Sequence, residues 1–412
     1  YKNVYRPARV ISYDKESGEL VLHNYMDFDD LKDYVKISYE LTQDGLVISK
    51  GKLPEVSAVP HSDGKINLKI NVPESGKCYL KFIYNLKKEL PLLDEDYILG
   101  FDEIEVSKDD AKCKLAEKWL QKTGVDSELQ VKENDTQIHI KGREFAYTID
   151  KRTALFTEMK FAGREYLNHP MELNIWRAPT DNDMYIKSEW KKAHYDKAYT
   201  RAYTTEVVQG KHGVKIVSHA SVVAETVQKI LDVTITWKID ASGKIDADIE
   251  ATKDGEFPDL PRFGVRMFLD KKLSAARYFG MGPQESYCDK HQAASHGLYQ
   301  ANVDDLHEDY IRPQENGSHY DCEYVELNNS RYGIVVSAEN AFSFNASYYT
   351  QEELEKKTHN YELTESDSVV FCVDYALNGI GSNSCGPVVL DQYRFDDVLF
   401  RFRFTLIPYV KG

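Results

Sequence analysis

Runs that alternate apolar and polar residues recur along this chain, and that period of two constrains its fold more than any other feature. Near the N-terminus they read Gly18-Glu19-Leu20-Val21-Leu22-His23, Lys36-Ile37-Ser38-Tyr39-Glu40-Leu41, Lys65-Ile66-Asn67-Leu68-Lys69-Ile70 and Tyr79-Leu80-Lys81-Phe82-Ile83-Tyr84. Successive side chains of a strand point to opposite faces, so each run offers one face to a core and the other to water.

Spaced about ten residues apart over about a hundred residues, such runs predict an immunoglobulin-like β-sandwich for residues 1–106. From 107 to 127 the rhythm changes. Ser107 reads as a helix cap, Asp109 and Asp110 as first-turn acids, Leu115, Trp119 and Leu120 as a helical face, and Thr123-Gly124 as the stop. A helical connector is expected there. Residues 128–412 return to strands. Leu231 to Ile239 and Ile245 to Ala251 form an expected hairpin about Ala241-Ser242-Gly243-Lys244. In Val398-Leu399-Phe400-Arg401-Phe402-Arg403-Phe404 aromatics take one face and arginines the other. Two helices are expected, Ser188 to Lys197 and Thr350 to Lys357, the second with Thr350 and Glu353 as a capping box. The prediction is an all-β chain, a small sandwich followed by one large antiparallel β-sandwich.

Charge and cysteine usage exclude several functions. The formal net charge is −15, with 52 Lys and Arg against 67 Asp and Glu, which argues against a nucleic-acid or anionic-membrane partner. The six cysteines, Cys78, Cys113, Cys288, Cys322, Cys372 and Cys385, include no C-x-x-C pair, so zinc ribbons and redox pairs lack support. Free thiols fit a reducing compartment. The opening Tyr1-Lys2-Asn3-Val4, without Met, reads as a cut inside a longer polypeptide, so any targeting signal lies beyond view.

Four segments carry candidate chemistry. Asp27-Phe28-Asp29-Asp30 fails as an EF-hand loop, because Lys32 and Ser38 stand where Gly and Glu are needed. Pro283-Gln284-Glu285 and Pro313-Gln314-Glu315 offer two carboxylates, either the acid/base and nucleophile of a retaining glycosidase or parts of surface turns. Trp176-Arg177-Ala178-Pro179-Thr180-Asp181-Asn182-Asp183 packs a guanidinium, two carboxylates and an amide into one loop. Such a cluster either grips sugar hydroxyls or holds itself together by ion pairs. Gly379-Ile380-Gly381-Ser382-Asn383-Ser384-Cys385-Gly386-Pro387 is a long polar loop of the kind that carries function.

In order, Arg177-Ala178-Pro179-x-Asp181-Asn182-Asp183, Gly280-x-Gly282-Pro283-Gln284-Glu285-x-Tyr287, Pro313-Gln314-Glu315-Asn316-Gly317 and Gly379-x-Gly381 to Pro387 resemble the C-terminal half of glycoside hydrolase family 2 β-galactosidases. Tyr5-Arg6-Pro7 resembles the join after that family's catalytic barrel, and Asn24-Tyr25-x-Asp27-Phe28-x-Asp30-Leu31 its next hairpin. Residues 128–412 also resemble the small chain of two-subunit β-galactosidases. The resemblance implies a mutarotase-like supersandwich for 128–412 and no catalytic residue in this chain, since the two catalytic Glu belong to the barrel. It implies a sugar-contacting set of Cys385, Ser384, Asn383, Arg177, Asp181, Asn182 and Asp183, with Cys385 where better-known members carry a stacking Trp. It implies a β-galactoside ligand, the N-terminal and barrel domains as partners, a homo-oligomeric parent, and Mg and Na bound mainly by other domains.

Two other readings stand beside it. One is a free carbohydrate-binding module built on 176–183. The other is an aldose epimerase, which needs a His acid and a Glu base, here His291 or His296 with Glu315.

Overall fold

The computed structural model describes residues 1–108, 111–120, 129–227 and 229–411. The chain divides into two compact units, residues 1–115 with 292–298, and residues 116–291 with 299–412.

The first unit is a two-sheet antiparallel sandwich. One sheet runs Ala8–Tyr13, Glu19–Asn24, Asp63–Asn67; the other runs Leu46–Lys52, Val35–Gln43, Cys78–Leu86, Ile98–Glu105. The alternation sets the register, because Cys78, Leu80, Phe82, Tyr84 and Leu86 all face inward. The first four meet Leu20 and Leu22 of the facing sheet in one core. The expected run from Lys65 ends as a strand at Asn67, where Leu68 turns its N–H to Gly18 and its carbonyl to the Tyr13 hydroxyl.

The second unit is also all-β. Its five-stranded sheet has the order Arg164–Glu165, Leu155–Phe161, Phe145–Asp150, Gln137–Lys141, Gln130–Glu133. Its twelve-stranded sheet follows Leu167–Asn174, Arg262–Asp270, Ser368–Leu377, Tyr332–Ser347, Leu399–Val410, Ile245–Lys253, Leu231–Asp240, Gly213–Val223 and Tyr199–Gln209. Ala275–Gly282, Ser318–Asn328 and, from residue 299 on, the strand that ends at Asn302 complete it beside Tyr332–Ser347. The two sheets share a core in which Trp237 packs edge-on to Phe156 and donates from its indole N–H to the Ala154 carbonyl at 2.8 Å. Tyr332–Ser347 changes neighbour midway, pairing through 332–338 with Leu399–Val410 and through 343–347 with Ser368–Leu377.

The hairpin and the terminal strand form as expected. Gly243 takes φ +86° in the turn, where an added Cβ would meet the Phe145 ring. Phe400, Phe402 and Phe404 are buried, while Arg401 on the other face reaches Asp248 twice at 2.6 Å.

The helices differ in part. Ser188 to Lys197 resolves into Ile186–Lys192 followed by a single 3₁₀ turn, Tyr195–Lys197. Gln351–Lys356 is capped by the Thr350 side chain, but the Glu353 carboxylate accepts from the Thr364 N–H instead of reaching back. The connector is corrected most. Its described part holds only the four-residue helix Glu117–Leu120. The Ser107 hydroxyl accepts from the Cys78 N–H at 2.7 Å and donates to the Cys78 carbonyl at 3.3 Å. Asp109, Asp110, Thr123 and Gly124 lie outside the described residues. No helix among the described residues is long and apolar enough to cross a membrane.

Candidate functional site

In the second unit the loop 378–387 joins Ser368–Leu377 to the segment leading into Leu399–Val410, and three side chains from elsewhere hold its base. Arg177 follows Leu167–Asn174 and is fully buried. Its guanidinium donates to Asp183 at 3.1 and 2.7 Å, to the Asn378 carbonyl at 2.5 Å and to the Gly379 carbonyl at 3.1 Å. Asp289 accepts from the N–H groups of Ile380 and Gly381 at 2.9 and 2.6 Å. Asn182 donates to the Gly381 carbonyl at 2.7 Å and accepts from the Ser384 hydroxyl at 2.8 Å. Gly381 has φ +65°, and an added Cβ would come within 2.6 Å of Val389.

The local sequence explains the 177–183 turn. Thr180 and Asp183 form a reciprocal cap on the 3₁₀ turn Asp181–Asp183, the Thr180 N–H donating to Asp183 at 2.8 Å. Asp181 lies between this turn and the 313–317 segment, its N–H donating to the Gln314 side-chain oxygen at 2.9 Å. The Glu315 N–H donates to the Ala178 carbonyl at 3.0 Å.

The seven residues expected to contact sugar therefore separate. Arg177 and Asp183 are turned inward and spend their polar atoms on each other, on the Thr180 hydroxyl and on backbone, where they support the loop. Asp181 and Asn182 tie the turn to Gln314 and to the loop. Asn383, Ser384 and Cys385 form the loop tip, with Ser384 and Cys385 exposed. Asp289 was missed. It belongs to no motif, and only the folded chain brings it under residues 380 and 381.

The two proposed glycosidase carboxylates are occupied by the chain. Glu315 is buried against Arg262 at 3.3 Å, and Arg262 also closes on Asp374 at 3.0 and 2.5 Å. Burial pushes the Glu315 carboxyl up from its ordinary range, against the pull of Arg262 and Arg177. Glu285 accepts from the Lys290 ammonium, the Tyr310 hydroxyl and the Gly317 N–H. The epimerase pairing is not assembled either. The His296 ring bonds to Glu103 at 2.9 Å and the His291 ring to the Tyr287 carbonyl at 3.1 Å. Among the described residues no three His, Cys, Asp or Glu side chains are grouped to hold a metal ion.

Residues 141–406 match the family model described as beta galactosidase small chain, and residues 20–107 match that described as beta-galactosidase, domain 4. The chain is 43% identical over 408 residues to a β-galactosidase of Actinobacillus pleuropneumoniae, covering 98% of this chain and 39% of that protein. It is 30% identical over 411 residues to one of Staphylococcus xylosus, covering 98% and 40%. It thus spans about two fifths of the length of these curated relatives. Among solved structures, a galactose 1-epimerase from Lactobacillus acidophilus NCFM is similar over 70% of this chain and all of that one, with TM-score 0.38 and 9% identity.

Proposed function

The chain belongs to the β-galactosidase small-chain family, and from that premise we propose that it is the C-terminal, non-catalytic portion of a longer β-galactosidase acting on terminal β-D-galactosides with retention. In this reading the two catalytic Glu lie on a barrel outside these 412 residues, and 1–106 is an immunoglobulin-like sandwich following that barrel. Residues 128–412 cover the barrel mouth and lend a loop to the aglycone side of the sugar site. The parent binds a β-galactoside and assembles as a homo-oligomer.

The observation that carries this reading is the loop 378–387. Its base is fixed by Arg177, Asp289 and Asn182, while Ser384 and Cys385 at its tip stand exposed. A base held by hydrogen bonds with an exposed tip suits a loop that completes another domain's site, since positioning costs little entropy at the moment of binding.

Complementation tests it. The isolated chain and an N-terminal fragment of the Actinobacillus pleuropneumoniae relative, ending where the match begins, each fail to hydrolyse o-nitrophenyl β-D-galactoside, and mixed together they hydrolyse it. In the mixture Cys385→Trp adds a stacking face and tightens aromatic aglycones by about 0.5–1.5 kcal/mol, with galactose inhibition unchanged. Hydrolysis by the isolated chain that vanishes in Glu285→Gln or Glu315→Gln overturns the reading.

A further inference from the structure

The second unit holds a cleft of about 390 Å³, within the size range of small-molecule sites, lined by none of residues 379–387. Its walls come from Ser318–Asn328, Tyr332–Ser347, Ser368–Leu377 and the segment 392–397. Three half-buried tyrosine rings, Tyr320, Tyr375 and Tyr393, line it. Tyr375 is fixed from behind, with Phe400 stacked parallel at 5.3 Å and Phe395 at 5.9 Å.

Six polar side chains around this cleft are unspent. Among the described residues the side chains of Tyr320, Asn340, Ser343, Tyr375, Gln392 and Tyr393 neither donate nor accept a hydrogen bond. Tyr287, also lining the cleft, is 3% exposed, and its hydroxyl has no partner among the described residues. A buried hydroxyl without a partner carries a desolvation cost that a ligand or water relieves. This contrasts with the 177–183 cluster, where nearly every polar atom is used inside the chain.

The chemistry on offer selects the ligand. Tyr and Ser hydroxyls both donate and accept, and Asn and Gln supply one of each, which matches a ring of hydroxyls. Aromatic faces match the apolar C–H face of a pyranose. Asp321 and Asp397 line the cleft against one Arg394, whose guanidinium already leans toward Asp391 at 3.5 Å and Asp259 at 3.9 Å. That balance disfavours phosphates and uronates. We propose that the cleft is a binding site for one neutral hexopyranose unit, independent of hydrolysis by any parent enzyme.

Saturation-transfer NMR on the 412-residue chain, with methyl β-D-galactopyranoside and methyl β-D-glucopyranoside as probes, tests this. Saturable transfer to the ring protons is expected, with Kd of roughly 1–10 mM for at least one probe. Tyr393→Ala and the double variant Asn340→Ala/Gln392→Ala each raise Kd at least ~5-fold, the effect of losing about one hydrogen bond or stacking contact. Asn340 and Gln392 are exposed, so the double variant decides the matter if Tyr393→Ala fails to fold. Tyr361→Ala, at an exposed ring outside the cleft, leaves Kd unchanged. Three results overturn the proposal: no transfer at ~20 mM of either probe, an unchanged Kd in the double variant, or saturable binding of tetramethylammonium in place of both glycosides.

Discussion

Arg177 and Asp183, six residues apart in the chain, close on each other through two hydrogen bonds of 3.1 and 2.7 Å, with side chains 0% and 3% exposed. Two further guanidinium N–H groups donate to the carbonyls of Asn378 and Gly379. One buried side chain thus joins the 177–183 turn to the loop that follows Ser368–Leu377.

Removing one member of such a pair leaves a buried charge alone, at a cost of about 3–5 kcal/mol. Arg177→Met and Asp183→Ala are each expected to lose that much in urea unfolding, and the double variant is expected to lose less than the sum. A loss below about 1 kcal/mol in both single variants would place the pair in a solvated setting.

Asp289 holds the N–H groups of Ile380 and Gly381. Asp289→Ala is expected to speed amide exchange at those two residues at least ~10-fold, while core amides such as those of Phe402 and Phe404 keep their protection. Unchanged exchange at 380 and 381 would mean that Arg177 and Asn182 alone fix the loop.

Cys385 is exposed, whereas Cys78, Cys322 and Cys372 are buried. Burial pushes the Cys372 thiol up to about 11 and raises those of Cys322 and Cys78 as well. The thiolate is the reactive form, so Cys385 is expected to react with a maleimide at least ~100-fold faster than these three. Comparable rates, read by peptide mass mapping, would count against an exposed loop tip.

His319 is buried between Tyr278 and Phe344. Burial lowers its pKa from 6.5 to about 4, although the Met281 carbonyl beside Nδ1 favours the charged form. The fold therefore prefers the neutral ring, and the unfolded chain takes up a proton first as pH falls. The stability from this group is whole above its unfolded pKa and drains away between about 6.5 and about 4, by about 3 kcal/mol at most. His319→Phe is expected to flatten that part of the stability profile, measured by urea unfolding at about pH 7 and about pH 4.5. An equally steep fall in the variant would assign the acid sensitivity elsewhere.

A boundary within 107–127 predicts that limited trypsin digestion cuts first there, at Lys108, Lys112, Lys114 or Lys118, all exposed. Bands of roughly 110 and 290 residues are expected on a denaturing gel. First cleavage inside 150–400 would move the boundary.

The strands were legible where one face meets a core, because burial of Cys78, Leu80 and Phe82, or of Phe400, Phe402 and Phe404, is written as local alternation. The connector's described part falls short of the expected helix, and the Ser107 hydroxyl, which has the form of a cap, bonds to Cys78 at the end of the neighbouring strand, a partner that only the folded sheet supplies. The 177–183 cluster was found but its orientation was not. A guanidinium beside two carboxylates reads the same whether it faces a sugar or a core. Asp289 carried no local signal at all, since its partners are about ninety residues away and are backbone amides that any sequence supplies.

Leu399–Val410 lies inside the twelve-stranded sheet, between Ile245–Lys253 and the first half of Tyr332–Ser347. Its neighbours are made before it during synthesis, so both wait with unpaired edges until residues 399–410 emerge. Exposed edges of that length template pairing between chains. A nonsense codon between residues 377 and 399 therefore does more than shorten the product: it leaves a slot between two strands that another truncated copy can fill, and such products are destined for aggregation or proteolysis.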